Sequence, residues 1–192
     1  MGRRILIVLL LSLLLIVSVV WIRTQPVLIS NEGMNPEVLN ALPATNKRVL
    51  QICVNSGERI APSYAQSVCT EFAISVIDSI SPLTKKLKNE IRIITEEDLA
   101  TLIEEDSPIT KGIASALSNG GLGEEIDPYH TKPGDFVQLW TVLGTRAFGH
   151  CGIVVEAVPG ETLTLYSSHP ITGGFGKQVY LWPDKAYFVR LR

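Results

Sequence analysis

Cysteine and histidine are scarce in this chain. Its 192 residues include three cysteines and three histidines, dispersed without a His-Glu-x-x-His or paired Cys-x-x-Cys pattern. The glycine-rich stretches at 120–123 and 173–176 lack the strand-to-helix context and the lysine of a phosphate-binding loop. The sequence therefore predicts no metal site and no cofactor.

An excess of charge of one sign is also lacking. The formal net charge is -2 at pH 7, so no basic surface is expected and no nucleic-acid partner is predicted. Hydrophobic residues make up 46% of the chain, which is enough for the core of one ordinary domain.

The apolar residues are concentrated at the N-terminus. Ile5 to Ile22 form a run of eighteen residues without a charge, between Arg4 and Arg23. This length suits a helix that crosses a bilayer, and it exceeds the apolar core of a typical signal peptide. We therefore predict a transmembrane signal-anchor at 1–23 in the inner or plasma membrane, with the rest of the chain on the outer, periplasmic or extracellular, side. A cleaved signal peptide is the alternative.

Residues 24–45 mix Pro, Asn and Gly with weak periodicity and are predicted to be a linker. The folded domain is predicted over 46–192. It opens with a short helix for which Asn46 is a possible N-cap and Gly57 a C-terminal stop. Cys53 lies on the apolar face of this helix, as is typical of a buried, unreactive thiol.

Helical patterns come first in the domain and strand-like patterns follow. Apolar residues recur at helical spacing from Cys69 to Ile80, and two further short helices are predicted within a helical insert at 84–130. The later apolar runs are typical of strands and occupy 136–144, 151–158, 162–168, 178–182 and 186–192. This order predicts an α+β domain whose N-terminal helices pack on a mostly antiparallel five-stranded sheet.

Cys69 is the cysteine at the start of a predicted helix. Ser67 is a possible N-cap, which puts Cys69 in the first turn. Unpaired backbone N–H groups and the helix dipole favour negative charge there, so a thiolate would be stabilised. Cys69 is therefore the candidate nucleophile.

A thiolate nucleophile also needs a base and a group that orients the base. His150, in the strand-like run "GHCGIVVE", is the candidate base. Its neighbour Cys151 should point to the opposite face of the strand, so the two are not expected to share a site. His169 ends the next strand and is the candidate third residue, with Ser168 or Tyr166 as alternatives.

Four blocks of the sequence share their order and spacing with a known family: "CTEFAISVI", "KPGDFVQLW", "GHCGIVVE" and "YSSHPITGGFG". In these blocks the chain resembles the NlpC-type papain-like cysteine peptidase superfamily, cell-wall hydrolases related to the CHAP amidases. The resemblance covers roughly residues 47–192. It implies a papain-like NlpC-type fold with Cys69 as nucleophile, His150 as base and His169 as third residue.

The resemblance also implies a function, the hydrolysis of an amide bond in peptidoglycan stem peptides. The expected partners are then peptidoglycan or a peptide substrate, and the membrane through the N-terminal helix. Two alternatives remain open. One is a catalytically idle scaffold domain that binds cell-wall fragments, and the other is a thiol acyltransferase or amidase that acts on lipid or protein amides.

The surroundings of Cys69 depart from the family pattern. The superfamily usually has Asp-Cys-Ser-Gly around the nucleophile, whereas here Val68 precedes Cys69, and Thr70 and Glu71 follow it. Glu71 brings a negative charge close to the sulfur. Tyr64, five residues before Cys69, is a candidate substrate contact, with simple packing as its alternative role.

The remaining polar candidates are assigned to structure. His130 is expected in a loop, and Asp135 is expected to stabilise the Pro-Gly-Asp turn. Cys151 is expected either buried beside the site or paired with Cys53.

Overall fold

The computed structural model of the chain describes residues 36–192 and the backbone of a short strand at 27–29. The transmembrane helix predicted at 1–23 lies outside the described residues. Within the part that is described, no helix is long and apolar enough to cross a membrane.

The described residues form six α-helices and two short 3-10 helices. The α-helices are α1 (Pro36–Ala41), α2 (Ala44–Ile60), α3 (Cys69–Asp78), α4 (Lys85–Arg92), α5 (Leu99–Glu104) and α6 (Ile113–Asn119). The 3-10 helices are Pro108–Lys111 and Pro128–His130.

All strands belong to one sheet in which neighbouring strands are antiparallel. They are β1 (Val27–Ile29), β2 (Gly123–Ile126), β3 (Phe136–Leu143), β4 (Arg146–Val158), β5 (Thr162–His169), β6 (Gly174–Leu181) and β7 (Lys185–Leu191). Their order across the sheet is β1-β6-β5-β4-β3-β7-β2.

The prediction of a five-stranded sheet is wrong. Six strands lie between residues 123 and 191, and β1 adds a seventh at one edge. The missed strand β2 has the sequence "GEEI", with Glu124 and Glu125 exposed. No apolar run marks it, and it is a strand because it pairs with β7 at the other edge of the sheet. Charged residues of this kind are typical of edge strands.

The start of the domain also differs from the prediction. The segment predicted as a linker contains β1 and α1, and α2 is capped by Pro43 rather than by Asn46. The buried Asn46 side chain instead donates hydrogen bonds to the Pro133 carbonyl and to Asp135, both at 2.8 Å. Asp135 also accepts two hydrogen bonds from Arg190, at 2.8 and 2.7 Å. This network ties α2, the turn before β3 and the last strand together.

Gly57 does not end α2, which continues to Ile60. A Cβ atom at Gly57 would lie 2.5 Å from the ring of Phe175 on β6. Glycine is therefore needed here because the helix and the strand approach each other closely. Phe175 in turn packs against Phe72 of α3, with ring centroids 5.3 Å apart.

The main hydrophobic core lies between the helices and one face of the sheet. It includes buried residues of α2, α3, α6, β3, β4 and β7, among them Val49, Cys53, Phe72, Ile77, Leu117, Phe136, Cys151, Ile153 and Val189. A smaller buried cluster consists of Val137, Leu139, Val154, Leu163, Leu165, Tyr180 and Phe188. Because side chains alternate along a strand, these residues of β3 and β4 belong to the opposite face.

The segment predicted as a helical insert at 84–130 contains α4, α5, α6 and the unexpected strand β2. One of the two short helices expected in this insert, opened by Ser107 and Pro108 and ended by Gly120, is divided at Gly112 into the 3-10 helix Pro108–Lys111 and α6. There the backbone has φ +47, a conformation that favours glycine and interrupts the helix. Gly120 ends α6 as predicted.

Candidate active site

Cys69 is the first residue of α3, so its sulfur lies at the positive end of the helix. Val68 is the N-cap and makes no side-chain capping bond, so no cap occupies the N–H groups of the first turn. Ser67 was the expected cap. Its carbonyl instead accepts a hydrogen bond from the Ser168 hydroxyl of β5, which fixes the start of the helix against the sheet.

Two consecutive residues of β4 lie near Cys69. His150 lines the same cavity as Cys69, and Cys151 belongs to the buried core against which Cys69 packs. Cys151 was expected either beside the site or paired with Cys53, and it is buried in the core against which Cys69 packs. His150 is 8% exposed and Cys151 0%, so water hardly reaches either side chain.

His150 and Cys151 nevertheless leave the strand on opposite faces. In the ladder between β3 and β4, His150 lies opposite Leu139 and Cys151 lies opposite Gln138. Residues opposite each other in a ladder share a face, and consecutive residues alternate. The alternation was thus predicted correctly.

The ladder between β4 and β5 ends before these two residues. The pairing between β4 and β5 runs from Val158 to Ile153 on β4 and does not include His150 or Cys151. In place of a ladder bond, the Ser167 hydroxyl of β5 donates to the Cys151 carbonyl at 2.7 Å. The start of α3 is attached to β5 at this unpaired end.

The pKa values of the Cys69 and Cys151 thiols are shifted in opposite directions. The interaction with the Cys151 side chain is the main cause that lowers the pKa of Cys69; burial opposes it, and the charge of His150 reinforces it. The same interaction, together with burial, raises the pKa of Cys151 well above its ordinary value. Cys69 is therefore the sulfur that ionises, while Cys151 keeps its proton.

His169 lies against His150 in an edge-to-face contact, with ring centroids 5.3 Å apart and planes at 82°. The Nε2 atom of His150 is buried and has no hydrogen-bond partner. His169 Nδ1 accepts a hydrogen bond from the Ile171 N–H at 3.1 Å, so the proton of the neutral ring is on Nε2. Burial, with the charge of His150, lowers the pKa of His169 to about 4. His169 is therefore neutral at pH 7.

Tyr180 is a second aromatic neighbour of His150, at 5.4 Å between ring centroids. Its hydroxyl donates to Gln178 at 2.7 Å, which leaves the oxygen lone pairs free to accept a hydrogen bond. Ser168 and Tyr166, the two alternatives to His169 as the third residue, have other partners. The Ser168 hydroxyl donates to the Ser67 carbonyl, and the Tyr166 ring stacks on Phe175 with centroids 5.5 Å apart.

A cavity of about 290 Å³ lies on one side of His150 and His169. Its lining contains no Asp, Glu, Lys or Arg and combines polar with apolar side chains, with Tyr64, Leu139, Phe148, Ile171, Tyr180 and Leu181 among its members. Tyr64, the predicted substrate contact, is thus part of the site. Burial, followed by the charge of Cys69, raises the pKa of Tyr64.

A second cavity, of about 250 Å³, lies on the other side of His150 and is lined by Cys69, Arg92, Gln138 and Trp140 among others. Gln138 is 3% exposed, and its Oε1 atom has no hydrogen-bond partner. A buried amide oxygen without a partner is costly in a folded protein, so its presence beside Cys69 marks it as a candidate functional group.

Arg92 compensates the charge of Glu71, the residue that departs from the family pattern. The guanidinium donates to both carboxylate oxygens, at 2.6 and 3.0 Å. Arg92 ends α4, so the insert supplies the positive charge that balances Glu71 in the first turn of α3. Glu71 therefore does not act on the thiolate as an isolated negative charge.

The structure separates the other candidates from this site. All three cysteines are free, so the alternative of a Cys53–Cys151 disulfide is wrong. The side chain of His130 is 81% exposed on a 3-10 helix. A larger cavity of about 760 Å³ lies between α4 and α6, and no cysteine or histidine lines it. Among the described residues, no group of three or more His, Cys, Asp or Glu side chains is arranged to hold a metal ion.

The site residues that the sequence pattern did not single out are Arg92, Gln138 and Tyr180. Gln138 carried one usable signal, since a lone amide inside the apolar run "FVQLWTVL" is unusual in a buried strand. Arg92 and Tyr180 carried none, because only the fold brings them to Cys69 and His150.

Comparisons with protein-family models, with curated proteins and with solved structures find no match for this chain. Function is therefore inferred from the side chains of the site.

Proposed function

We propose that this protein is a cysteine hydrolase that cleaves amide bonds with Cys69, His150 and His169. One observation carries the proposal: a cysteine at the N-terminus of a helix lines the same cavity as a histidine on a strand far downstream in the sequence. A thiolate at a helix start beside an imidazole is the arrangement that nucleophilic cysteine catalysis requires. The lowered pKa of Cys69, to which the charge of His150 contributes, agrees with this use.

In the proposed reaction the Cys69 thiolate attacks the amide carbonyl and forms a tetrahedral intermediate. The backbone N–H of Cys69, in the uncapped first turn of α3, donates a hydrogen bond to the developing oxyanion. Protonated His150 gives its proton to the leaving nitrogen, so the C–N bond breaks and an amine departs, leaving a thioester on Cys69. Water, deprotonated by His150, then hydrolyses the thioester and restores the thiolate.

His169 is proposed to hold the His150 ring in position. The support is the edge-to-face contact at 5.3 Å and the neutral state of His169, which avoids repulsion of a protonated His150. With its proton on Nε2, His169 does not offer that atom as an acceptor. The free lone pairs of Tyr180 are therefore a second means of orienting His150.

The proposed substrate is a peptidoglycan stem peptide, with Tyr64 as a contact beside His150. Support for this substrate comes from the family resemblance of four sequence blocks and from the outward location predicted for the domain. Both remain predictions from the sequence.

A second candidate is a thiol acyltransferase or amidase acting on lipid amides. The observation that favours it is the cavity beside His150 and His169, whose lining carries no formally charged side chain of the Asp, Glu, Lys or Arg type. Such a lining suits an alkyl chain better than a charged peptide. The chemistry at Cys69 would be the same up to the thioester.

The test is product analysis by chromatography and mass spectrometry after incubating the purified chain with muropeptides and, separately, with N-acyl lipid amides. We expect cleavage of a muropeptide amide bond, and we expect Cys69→Ala to reduce the rate by about 10³-fold or more. His150→Ala should have a similarly large effect. His130→Ala is the matched control, since that side chain is 81% exposed, and it should leave the rate unchanged.

The outcomes separate the candidate functions. Cleavage confined to lipid amides would favour the second candidate. No cleavage of either substrate, with a Cys69 thiol no more reactive than an ordinary cysteine, would leave a catalytically idle scaffold domain as the function.

A further inference from the structure

Gln138 is a polar residue inside the buried run of β3 at 136–140. It pairs in register with Cys151 of β4, so it lies on the face of the sheet that carries the main core. The residue is 3% exposed and lines the cavity of about 250 Å³ that Cys69 also lines. Positions of this kind are normally apolar, so a glutamine here calls for a specific role.

The amide of Gln138 is poorly bonded within the protein. Its Oε1 atom is buried and has no hydrogen-bond partner among the described residues. Its Nε2 atom donates to the Leu139 carbonyl over 3.4 Å, which is long for a hydrogen bond of this type. An unpaired buried amide lowers the stability of the folded protein. A ligand that donates a hydrogen bond to Oε1 would remove this cost.

Other side chains with N–H groups in the same lining have other uses. The Trp140 indole donates to a backbone carbonyl at 2.8 Å, and the Arg92 guanidinium donates to Glu71. His150 transfers protons in the proposed reaction. The donor for the Gln138 oxygen is therefore expected from a bound ligand.

Gly112 keeps the space beside this oxygen free of a side chain. A Cβ atom at Gly112 would lie 3.0 Å from Gln138 Oε1 and 2.7 Å from Ile93 Cδ1. Gly112 has φ +47, and Ile93, which lines the cavity of Cys69, has φ 52, a value that a β-branched residue rarely adopts. Strained backbone of this kind is concentrated at functional sites. Two strained positions of the insert thus meet next to the unpaired oxygen.

We propose that Gln138 is a substrate-binding residue, whose amide oxygen accepts a hydrogen bond from the N–H of the substrate residue that supplies the scissile carbonyl. That substrate residue lies next to Cys69 during attack, and Gln138 lines the same cavity. The cavity is smaller than those that hold whole drug-sized ligands, so it receives only the groups nearest to the carbonyl. A turn about the terminal torsion of Gln138, which is soft, brings the oxygen to face them.

This inference rests on the proposed function and defines its substrate class more narrowly. A peptide residue carries an N–H close to its carbonyl, whereas a fatty acyl group carries only carbon there. A site with a buried acceptor discriminates against ligands that leave the acceptor unpaired. The acyl side of the substrate is therefore peptidic, as in a stem peptide.

The experiment compares two probes that differ in one group, N-acetyl-alanyl chloromethyl ketone and its N-methylated analogue. In both reactions the Cys69 sulfur forms a bond to the chloromethyl carbon and chloride leaves. The alanine N–H of the first probe stands next to the carbonyl, as in the proposed substrate. Labelling rates of the Cys69 peptide are measured by mass spectrometry in the full chain, for the wild type and for Gln138→Met. Iodoacetamide is the control for the reactivity of the sulfur itself.

In the wild type we expect the N–H probe to label Cys69 about 10 to 100 times faster than the N-methyl probe. In Gln138→Met, which keeps the length of the side chain without its amide, the ratio of the two rates should fall by about 10-fold. The iodoacetamide rate should stay within about 2-fold of the wild-type rate. The urea midpoint of unfolding should stay the same or rise, because a buried unpaired amide has been removed.

Three results would overturn the inference. They are equal rates of the two probes on the wild type, an unchanged ratio in Gln138→Met, and a lower urea midpoint for this variant, which would mark the amide as structural. Gln138→Leu replaces the methionine variant if that one fails to fold.

The labelling test is independent of cleavage. Selective labelling in a chain that cleaves no amide would refute the proposed function and leave the Gln138 hydrogen bond intact. Cleavage of muropeptides without probe selectivity would refute the role of Gln138 and leave the proposed function.

Discussion

Cys53 and Cys69 both lie on helices that pack against the same sheet, but their thiols are in opposite states. Cys53 is in the middle of α2 with no exposed surface, and burial raises its pKa far above the ordinary value. Cys69 is also shielded, yet at the start of α3 its pKa is lowered, mainly by its interaction with the Cys151 side chain and then by the charge of His150. Burial alone therefore does not decide the reactivity of a thiol. The groups around the sulfur and its position on the helix decide it.

The largest expected effect is on chemical reactivity. In the folded protein at pH 6, iodoacetamide should alkylate Cys69 about 10³-fold or more faster than Cys53, because Cys53 reacts only when its surroundings open. The Cys69 rate should stay high as the pH falls below the usual thiol pKa, since a lowered pKa keeps the thiolate until more acidic pH. Peptide mass spectrometry gives both rates in one sample. In denaturant the two rates should become equal, and a difference that persists there would contradict a structural origin.

A smaller effect is expected on stability. Cys53→Ser places a hydroxyl in the apolar core and should lower the free energy of unfolding by about 1–3 kcal/mol. Cys69→Ser, at the edge of a cavity with donors nearby, should change it by less than about 1 kcal/mol. Urea unfolding followed by circular dichroism measures both variants. If Cys69→Ser proved the more destabilising of the two, the site would be structural rather than catalytic.

The smallest expected effect is that of the Arg92 charge on the pH midpoint of Cys69 alkylation. Arg92→Met leaves Glu71 unpaired and removes a positive charge from the cavity of Cys69, so the midpoint of Cys69 alkylation should rise by about half a pH unit at low salt. Salt should reduce the shift, because the Arg92 and Glu71 side chains are 33% and 38% exposed. Adding Glu71→Gln should reverse most of it. Lys86→Met on the same helix, with a side chain 86% exposed, is the control and should have no effect.

The parts of the fold that were predictable from sequence are those with local signals. Apolar periodicity located α3 and the strands β3 to β7, although β4 begins at Arg146, before the predicted start. Residue type alone is enough to indicate the hairpin turn at Pro159 and Gly160, where Gly160 has φ +83. Strand β2 could not be predicted, since it has two exposed glutamates and its hydrogen bonds come from β7.

The candidate site was predicted in part. Cys69, His150, His169 and Tyr64 all lie around the same two cavities. The arrangement of His169 differs from the expected one, because His150 contacts it through ring edges and not through a hydrogen bond. Of the two expectations for Cys151, burial beside the site is confirmed and pairing with Cys53 is wrong.

The sequence by itself determined the position of a cysteine in the first turn of a helix, since apolar spacing and turn residues act over a few neighbours along the chain. Only the tertiary structure decided the partners of that cysteine. His150 lines the cavity of Cys69 because α3 packs against β4, and Arg92 reaches Glu71 because α4 packs beside α3. These contacts join segments that are separated along the chain, so no local pattern encodes them.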